Sequence, residues 1–268
     1  MPDIKESHFA NQQIQSQQLK KLELRLLDDT KTNEVKLLKK SVYHNSDDNK
    51  GHRERLKQKF LQSGFSGFHD YEIIELILFN AIPRIDVKPL AKLLLKTFGT
   101  IAKIFTASQK DIMAIKGCGE NVYFIIQLFA QTSLVISRRQ LNEAPLLAKW
   151  TELSDYLRLK IGYLTHEEFH ILFLNAKSYL ISDMKIFRGT VDKAAIYPRE
   201  ILKHALECGA VFLILAHNHP SGDAMPSHDD IQLTYQIIQA AQIMDITVVD
   251  HLIIGKYDIK SFRNLNLL

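Results

Sequence analysis

Hydrophobic and polar positions along this chain fall into two textures that change near residue 150. Over residues 51–140 apolar side chains recur at three- and four-residue intervals, the period of a helix with one buried face. GHRERLKQKFLQSG closes on a glycine, and HDYEIIELILFNAIPR keeps helical spacing until Pro83. VKPLAKLLLKTFG stops at Gly99, and TASQKDIMAIKGCGENVYFIIQLFAQTSLVISRRQ reads as two helical patterns joined by Gly117-Cys118-Gly119. None of this stretch carries a strand pattern with turn chemistry.

Past Trp150 the runs become short, apolar and β-branched. FHILFLNA and YLISDMKIF read as strands separated by a polar turn at Lys177-Ser178. PREILKHALECG predicts a helix: Pro198 suits its first position, Ile201, Leu202, Ala205 and Leu206 form one face, and Gly209 ends it. VFLILAHNH is an apolar strand with a polar end. A Gly/Pro loop follows, then a helix from about Ser227 to Met244 and a strand, ITVVDHLIIG. Such alternation predicts an α/β layered domain built on one sheet. The expected organisation is a polar extension over 1–50, a helical domain over 51–143 and an α/β domain over 144–268. The extension holds no glycine and a Gln-rich stretch, NQQIQSQQ, so it reads as largely disordered with one short element near 19–27.

Composition narrows the class. With 46% hydrophobic and 24% charged residues in 268, the chain is neither wholly disordered nor collagen-like. No apolar run approaches the roughly 18–20 residues needed to span a bilayer, so no membrane partner is expected. MPDIKESHF carries acids and no hydrophobic centre, which argues against a secretory signal. Two cysteines, Cys118 and Cys208, cannot build a disulfide framework and fit a reducing compartment, so a cytoplasmic location is expected. The net charge of +4 divides as +1 over residues 1–50, +5 over 51–145 and −2 over 146–268. The basic middle is the better candidate for phosphate contact, against the alternative of a plain solvated surface.

AHNHPSGDAMPSHDD concentrates the chemistry. Residues two apart on a strand share a face, so His217 and His219 can reach one metal ion. Ser227 stands where a helix N-cap belongs, and Asp230 in the first helical turn would face the histidines. Two imidazoles and a carboxylate suit Zn²⁺, and three protein ligands leave a fourth position for water. The plainer alternative is polar loop residues followed by a helix capping box, since Ser-x-x-Asp is also that.

The order strand, His-x-His, seven-residue loop, Ser-x-x-Asp, helix resembles the JAMM (MPN-plus) metal-dependent hydrolases and matches each specified position of their signature. HNHPSGD, PREILKHAL, FRGTV and DHLIIG, with GHRERLKQKF, IPR and LAKLLLKTFG upstream, resemble the bacterial RadC proteins over roughly residues 51–268. That resemblance implies a cytidine-deaminase-like α/β JAMM/MPN domain preceded by an all-α module with a helix-hairpin-helix. It also implies a zinc-dependent hydrolase of amide or peptide bonds acting on a peptide or protein, with a glutamate ahead of a neighbouring strand as general base. Glu167 and Glu168 both precede FHILFLN; the RadC pattern Glu-x-Phe selects Glu167, although the apolar alternation alone does not say which face of that strand meets His217. Ser227 would donate to the tetrahedral oxyanion or hold the glutamate, or serve only as the cap. Asp250-His251 would support a metal histidine or form a satisfied buried pair.

Ile115-Lys116-Gly117-Cys118-Gly119 resembles a helix-hairpin-helix turn, whose Gly117 and Gly119 would let backbone amides approach a DNA phosphate. Glu120 and Tyr123 depart from the small or basic residues usual there. A second function class therefore stands beside the enzyme: a DNA-associated repair or recombination accessory binding through residues 51–143, with a structural or vestigial metal site.

Overall fold

The structure, a computed structural model, describes residues 46–188 and 197–268. The expectations for the extension therefore lie almost wholly outside the described residues, as does part of FRGTV. The chain divides into two compact units: residues 1–64 with 84–86, and residues 65–83 with 87–268. The boundary expected between 143 and 150 lies within the larger unit. In the smaller one, α1 (Ser46–Ser63) is mostly polar and buries Leu56, while the Arg53 guanidinium donates to the Ile85 carbonyl at 2.6 Å.

The larger unit opens with helices. α2 (Asp70–Ala81) starts on a capping box, in which the Glu72 carboxylate accepts from the His69 N–H at 2.9 Å, and it stops short of Pro83. α3 (Lys88–Phe98) has its proline in the first turn and ends at Gly99, whose φ of 87° few other residues adopt readily. The Thr100 and Ser108 side chains cap the short α4 (Ile101–Thr106) and α5 (Gln109–Met113), and α6 (Glu120–Leu141) follows. Ile74, Leu78, Ala91, Leu94, Ile104, Ile112 and Ile126 meet in one core, each wholly buried. The three- and four-residue spacing of Ile74 and Leu78, Ala91 and Leu94, and Val122, Ile126 and Ala130 is what made the longer helices readable.

An unexpected helix, α7 (Trp150–Ile161), precedes the sheet. Among the described residues the sheet has five strands: β1 (Glu168–Leu174), β2 (Leu180–Arg188), β3 (Phe212–Asn218), β4 (Thr247–Ile254) and β5 (Ile259–Ser261), ordered β2-β1-β3-β4-β5. β1 runs antiparallel to both β2 and β3, and β3 is parallel to β4. The three-residue β5 was not foreseen. α8 (Pro198–Cys208) ends on left-handed Gly209, and α9 (His228–Gln242) makes the crossover between β3 and β4.

Alternation along the strands separates two cores. Phe169, Ile171, Phe173, Leu213 and Leu215 pack with Ile201 and Ala205 of α8 and Leu233 and Ile237 of α9. Leu172, Leu174, Ile214, Ala216, Leu252 and Ile254 pack with Leu153, Tyr156, Leu157 and Ile161 of α7. Central strands buried on both faces read as continuous apolar runs, which is the texture of FHILFL and VFLILA.

Candidate metal centre

His217 stands near the C-terminal end of β3, and His219 follows directly after its last residue, Asn218, where the chain leaves the sheet. The following loop is fixed tightly. Gly222 has a φ of 93°, and a Cβ there would lie 3.0 Å from the Lys256 side chain; its carbonyl accepts the Lys256 N–H at 3.0 Å. The Asp223 side chain makes a local turn by accepting the Met225 N–H at 3.0 Å. The chain then returns to Ser227, the N-cap of α9. The Ser227 hydroxyl accepts from the Asp230 N–H at 3.2 Å and donates to Asp230 Oδ2 at 2.5 Å; the Ser227 N–H donates to the same oxygen at 2.8 Å. The capping box and the carboxylate facing the histidines are thus one arrangement, and Ser227 orients Asp230.

Glu167 completes the group. One ligand atom from each of Glu167, His217, His219 and Asp230 lies within 4.8 Å of all the others. Pairing of Phe169 with His217 in the β1–β3 ladder settles which face of β1 meets the histidines. It is the face of Phe169, Ile171 and Phe173, on which Glu167 also falls.

Hydrogen bonds assign the imidazole protons. The Asp230 carbonyl can only accept, so the Thr234 hydroxyl, 2.5 Å away, donates to it. Thr234 Oγ1 then accepts from His251 Nδ1–H at 2.6 Å, which leaves His251 Nε2 to accept from His217 Nδ1–H at 2.8 Å. His219 Nδ1 faces the Asp223 carbonyl at 2.7 Å and must also carry its hydrogen. In their neutral forms both histidines therefore turn bare Nε2 lone pairs toward each other, 2.9 Å apart. Asp230 oxygens stand 3.4 Å from each Nε2. Lone pairs and a carboxylate at such distances repel unless positive charge lies among them. Zinc–ligand bonds of about 2.1 Å in a tetrahedron place ligand atoms roughly 3.4 Å apart. The donor set fits a cation of that kind.

Electrostatics agree. Burial pushes the His217 imidazole below its usual pKa against the pull of Asp230, whereas the hydrogen bond to Asp230 raises His219. A site that draws a proton toward its more exposed histidine also draws a metal cation. Apolar rings hold the buried histidines: Phe169 stacks on His217 with centroids 5.8 Å apart, and Phe262 stacks on His251 at 4.5 Å.

Glu168 goes elsewhere. Its carboxylate lies 3.1 Å from His166 Nε2, 3.1 Å from His170 Nε2 and 3.4 Å from Lys185 Nζ. His170 Nδ1 continues to Asp183 at 3.1 Å, and Asp183 accepts from Tyr156 Oη and Lys160 Nζ, each at 2.6 Å. Burial alone would raise both carboxyls. Bonds from His170 and His166 with the Lys185 charge instead hold Glu168 at about 2, and His170 with Lys160 holds Asp183 well below the usual range. Burial and the Asp183 charge push Tyr156 upward.

Of the residues singled out from sequence, Glu167, His217, His219, Ser227 and Asp230 come together. His251 touches His217, but Asp250 does not share that role: its carboxylate holds the His251 and Arg263 N–H groups and the Ser261 hydroxyl. Sequence reading missed Thr234, four residues after Asp230 on α9. Gly117 and Gly119 lie apart, in the turn between α5 and α6; Gly117 has φ 98° and Gly119 is the N-cap of α6. The positions after them serve packing, with Asn121 donating to the Ala81 carbonyl at 2.6 Å and Val122 buried.

A strand that runs out into His-x-His beside a helix opening on Ser-x-x-Asp is the arrangement of a JAB-type domain, and a family profile described as a RadC-like JAB domain matches residues 147–267. The chain belongs to the RadC family. It is 42% identical over 212 residues to the UPF0758 protein SPO0054 of Ruegeria pomeroyi, an alignment covering 79% of this chain and 95% of that protein. Among the described residues no helix is long and apolar enough to cross a membrane.

Proposed function

We propose that the protein is a zinc-dependent hydrolase of amide or peptide bonds, with His217, His219 and Asp230 holding the ion and Glu167 acting as general base. The carrying observation is the convergence of two proton-free imidazole nitrogens and two carboxylates within 4.8 Å. A bound zinc ion would supply the charge that makes a water acidic near neutral pH and polarises a carbonyl oxygen. Glu167 would take the proton of the attacking water and return it to the departing amine, which a carboxylate within reach does over both halves of the reaction. Thr234 and His251 keep the His217 hydrogen on Nδ1 and so keep Nε2 available. Asp223 does the same for His219 through its carbonyl. Ser227 holds Asp230 in place and would also serve the developing oxyanion.

Metal analysis of the purified full chain, followed by an untargeted amide-hydrolysis screen with and without chelator, tests the reading. Expected are about one zinc per chain and hydrolysis that chelation abolishes and zinc restores. Stoichiometric zinc with no exchangeable water ligand would overturn the enzymatic reading in favour of a structural metal.

A further inference from the structure

Asn218 lies between the two histidines in sequence, and its side chain is directed to β1 rather than to the centre. Asn218 Oδ1 accepts the Glu168 N–H at 2.8 Å, and Nδ2 donates to the His166 carbonyl at 3.0 Å. These main-chain groups belong to the two peptide units flanking the Cα of Glu167. A carbonyl cannot donate and an amide N–H cannot accept, so one orientation of the carboxamide satisfies both. Asn218 is 1% exposed, which keeps competing water from these bonds.

The ladder explains why a side chain is needed here. The last paired residues of β1 and β3 are Phe169 and His217. Beyond them the main chain stays paired with β4 alone, the His219 N–H donating to the Ile254 carbonyl at 3.0 Å. The Asn218 carboxamide carries one carbonyl and an N–H donor, as a peptide group does, and takes the place of the next rung toward β1. The segment bearing both histidines thereby grips the backbone on either side of Glu167.

We propose that Asn218 is the positioning residue for Glu167, registering its backbone against His217 and His219 so that its carboxylate is held at the metal centre. The inference rests on the reading of Glu167 as general base. Between the backbone so held and the carboxylate stand only the side-chain torsions of Glu167. A mere filler of buried hydrogen bonds would affect stability without disturbing the electronic surroundings of the metal.

Cobalt(II) substitution of the full-length protein separates these cases, because its visible spectrum responds to groups around the ion. The comparison takes wild type, Glu167→Gln, Asn218→Ala, Asn218→Ser and the Asn218→Ala/Glu167→Gln double variant, each with cobalt content and pH profile measured. About one cobalt per chain is expected throughout, because none of these substitutions removes a histidine or Asp230. Glu167→Gln should alter the spectrum and its pH profile, Asn218→Ala should reproduce most of that change, and the double variant should add nothing to it. Asn218→Ser keeps a polar side chain too short to span both groups; it should behave as Asn218→Ala does and carries the test if the alanine variant does not fold. A wild-type spectrum and pH profile in the folded Asn218 variants overturns the proposal while leaving Glu167 in its role. So does a full Glu167→Gln change on the Asn218→Ala background. Loss of cobalt from both Asn218 variants also overturns it, since Asn218 would then support the ligands. A wild type that binds no cobalt, or a Glu167→Gln spectrum identical to wild type, overturns the underlying reading and the proposal with it.

Discussion

Phe169 sits directly across the β1–β3 ladder from His217, its ring stacked on the imidazole at 5.8 Å with 14° between the planes. This pairing fixes β1 in register, and a slip of one residue would exchange every side chain between the two faces. It assigns Glu167 to the centre and Glu168 to the network of His166, His170 and Lys185. Glu167→Gln should therefore keep metal and fold while losing on the order of 10²–10⁴-fold in turnover. Glu168→Gln should lower stability and leave the turnover of the folded fraction nearly unchanged. Both belong in one assay with metal content measured for each; a dead Glu168→Gln beside an active Glu167→Gln would reverse the roles.

Metal affinity should rank the residues by what they touch. His217→Ala, His219→Ala and Asp230→Ala each remove an atom facing the ion and should abolish tight zinc binding. Thr234→Val and His251→Phe break the chain that holds the His217 hydrogen on Nδ1, and should weaken binding by about 10–100-fold. Ser227→Ala should retain zinc but cost about 1 kcal/mol as a lost N-cap. Competition with a chromophoric chelator reads all six. Full zinc occupancy in Asp230→Ala would remove that residue from the ligand set.

The helices and strands were legible because their spacing is regular: Ile74 and Leu78, and again Val122, Ile126 and Ala130, repeat at helical intervals, and FHILFL is apolar on both faces. That double burial also hid the orientation of β1, since Phe169–Ile171–Phe173 and His170–Leu172–Leu174 differ little by sequence. α7 went unread although Leu153, Tyr156, Leu157 and Ile161 follow helical spacing, because the apolar runs after it set the texture. His217, His219, Ser227 and Asp230 lie within 14 residues and announced themselves. The support did not: Thr234 meets His251 across 17 residues and Asn218 meets Glu168 across 50, contacts that only the sheet and its crossover create.

Asp183 should give the protein an acid-sensitive anchor between β2 and α7. Its folded-state pKa lies below the unfolded value, so its stabilisation is present above about pH 4, the usual aspartate range, and is lost as pH falls toward the lower folded value. Asp183→Asn should accordingly be less stable than wild type at pH 7, with the gap closing below about pH 4. Urea unfolding at a series of pH values checks this, and a gap unchanged down to pH 2 would show that the carboxylate charge is not what stabilises the contact with Tyr156 and Lys160.

Phe169 and Phe173 offer a final separation of fold from site. They stand four residues apart on one face of β1, and both belong to the same core. Phe173 is fully buried and meets the His204 ring at 4.7 Å, away from the centre. Phe169 instead touches both histidines of the relay, His217 at 5.8 Å and His251 at 5.4 Å. Truncating either to alanine removes a buried aromatic and leaves a cavity, a loss of about 3–5 kcal/mol. Only Phe169→Ala also frees the His217 and His251 rings to reorient, so only it should weaken zinc binding in the folded fraction, by roughly the 10–100-fold of a lost ligand support. Apo-protein stability and zinc affinity measured side by side resolve the two effects. Equal losses of affinity in both variants would mean that the centre responds to core packing in general and that the stacked ring has no special part in holding His217.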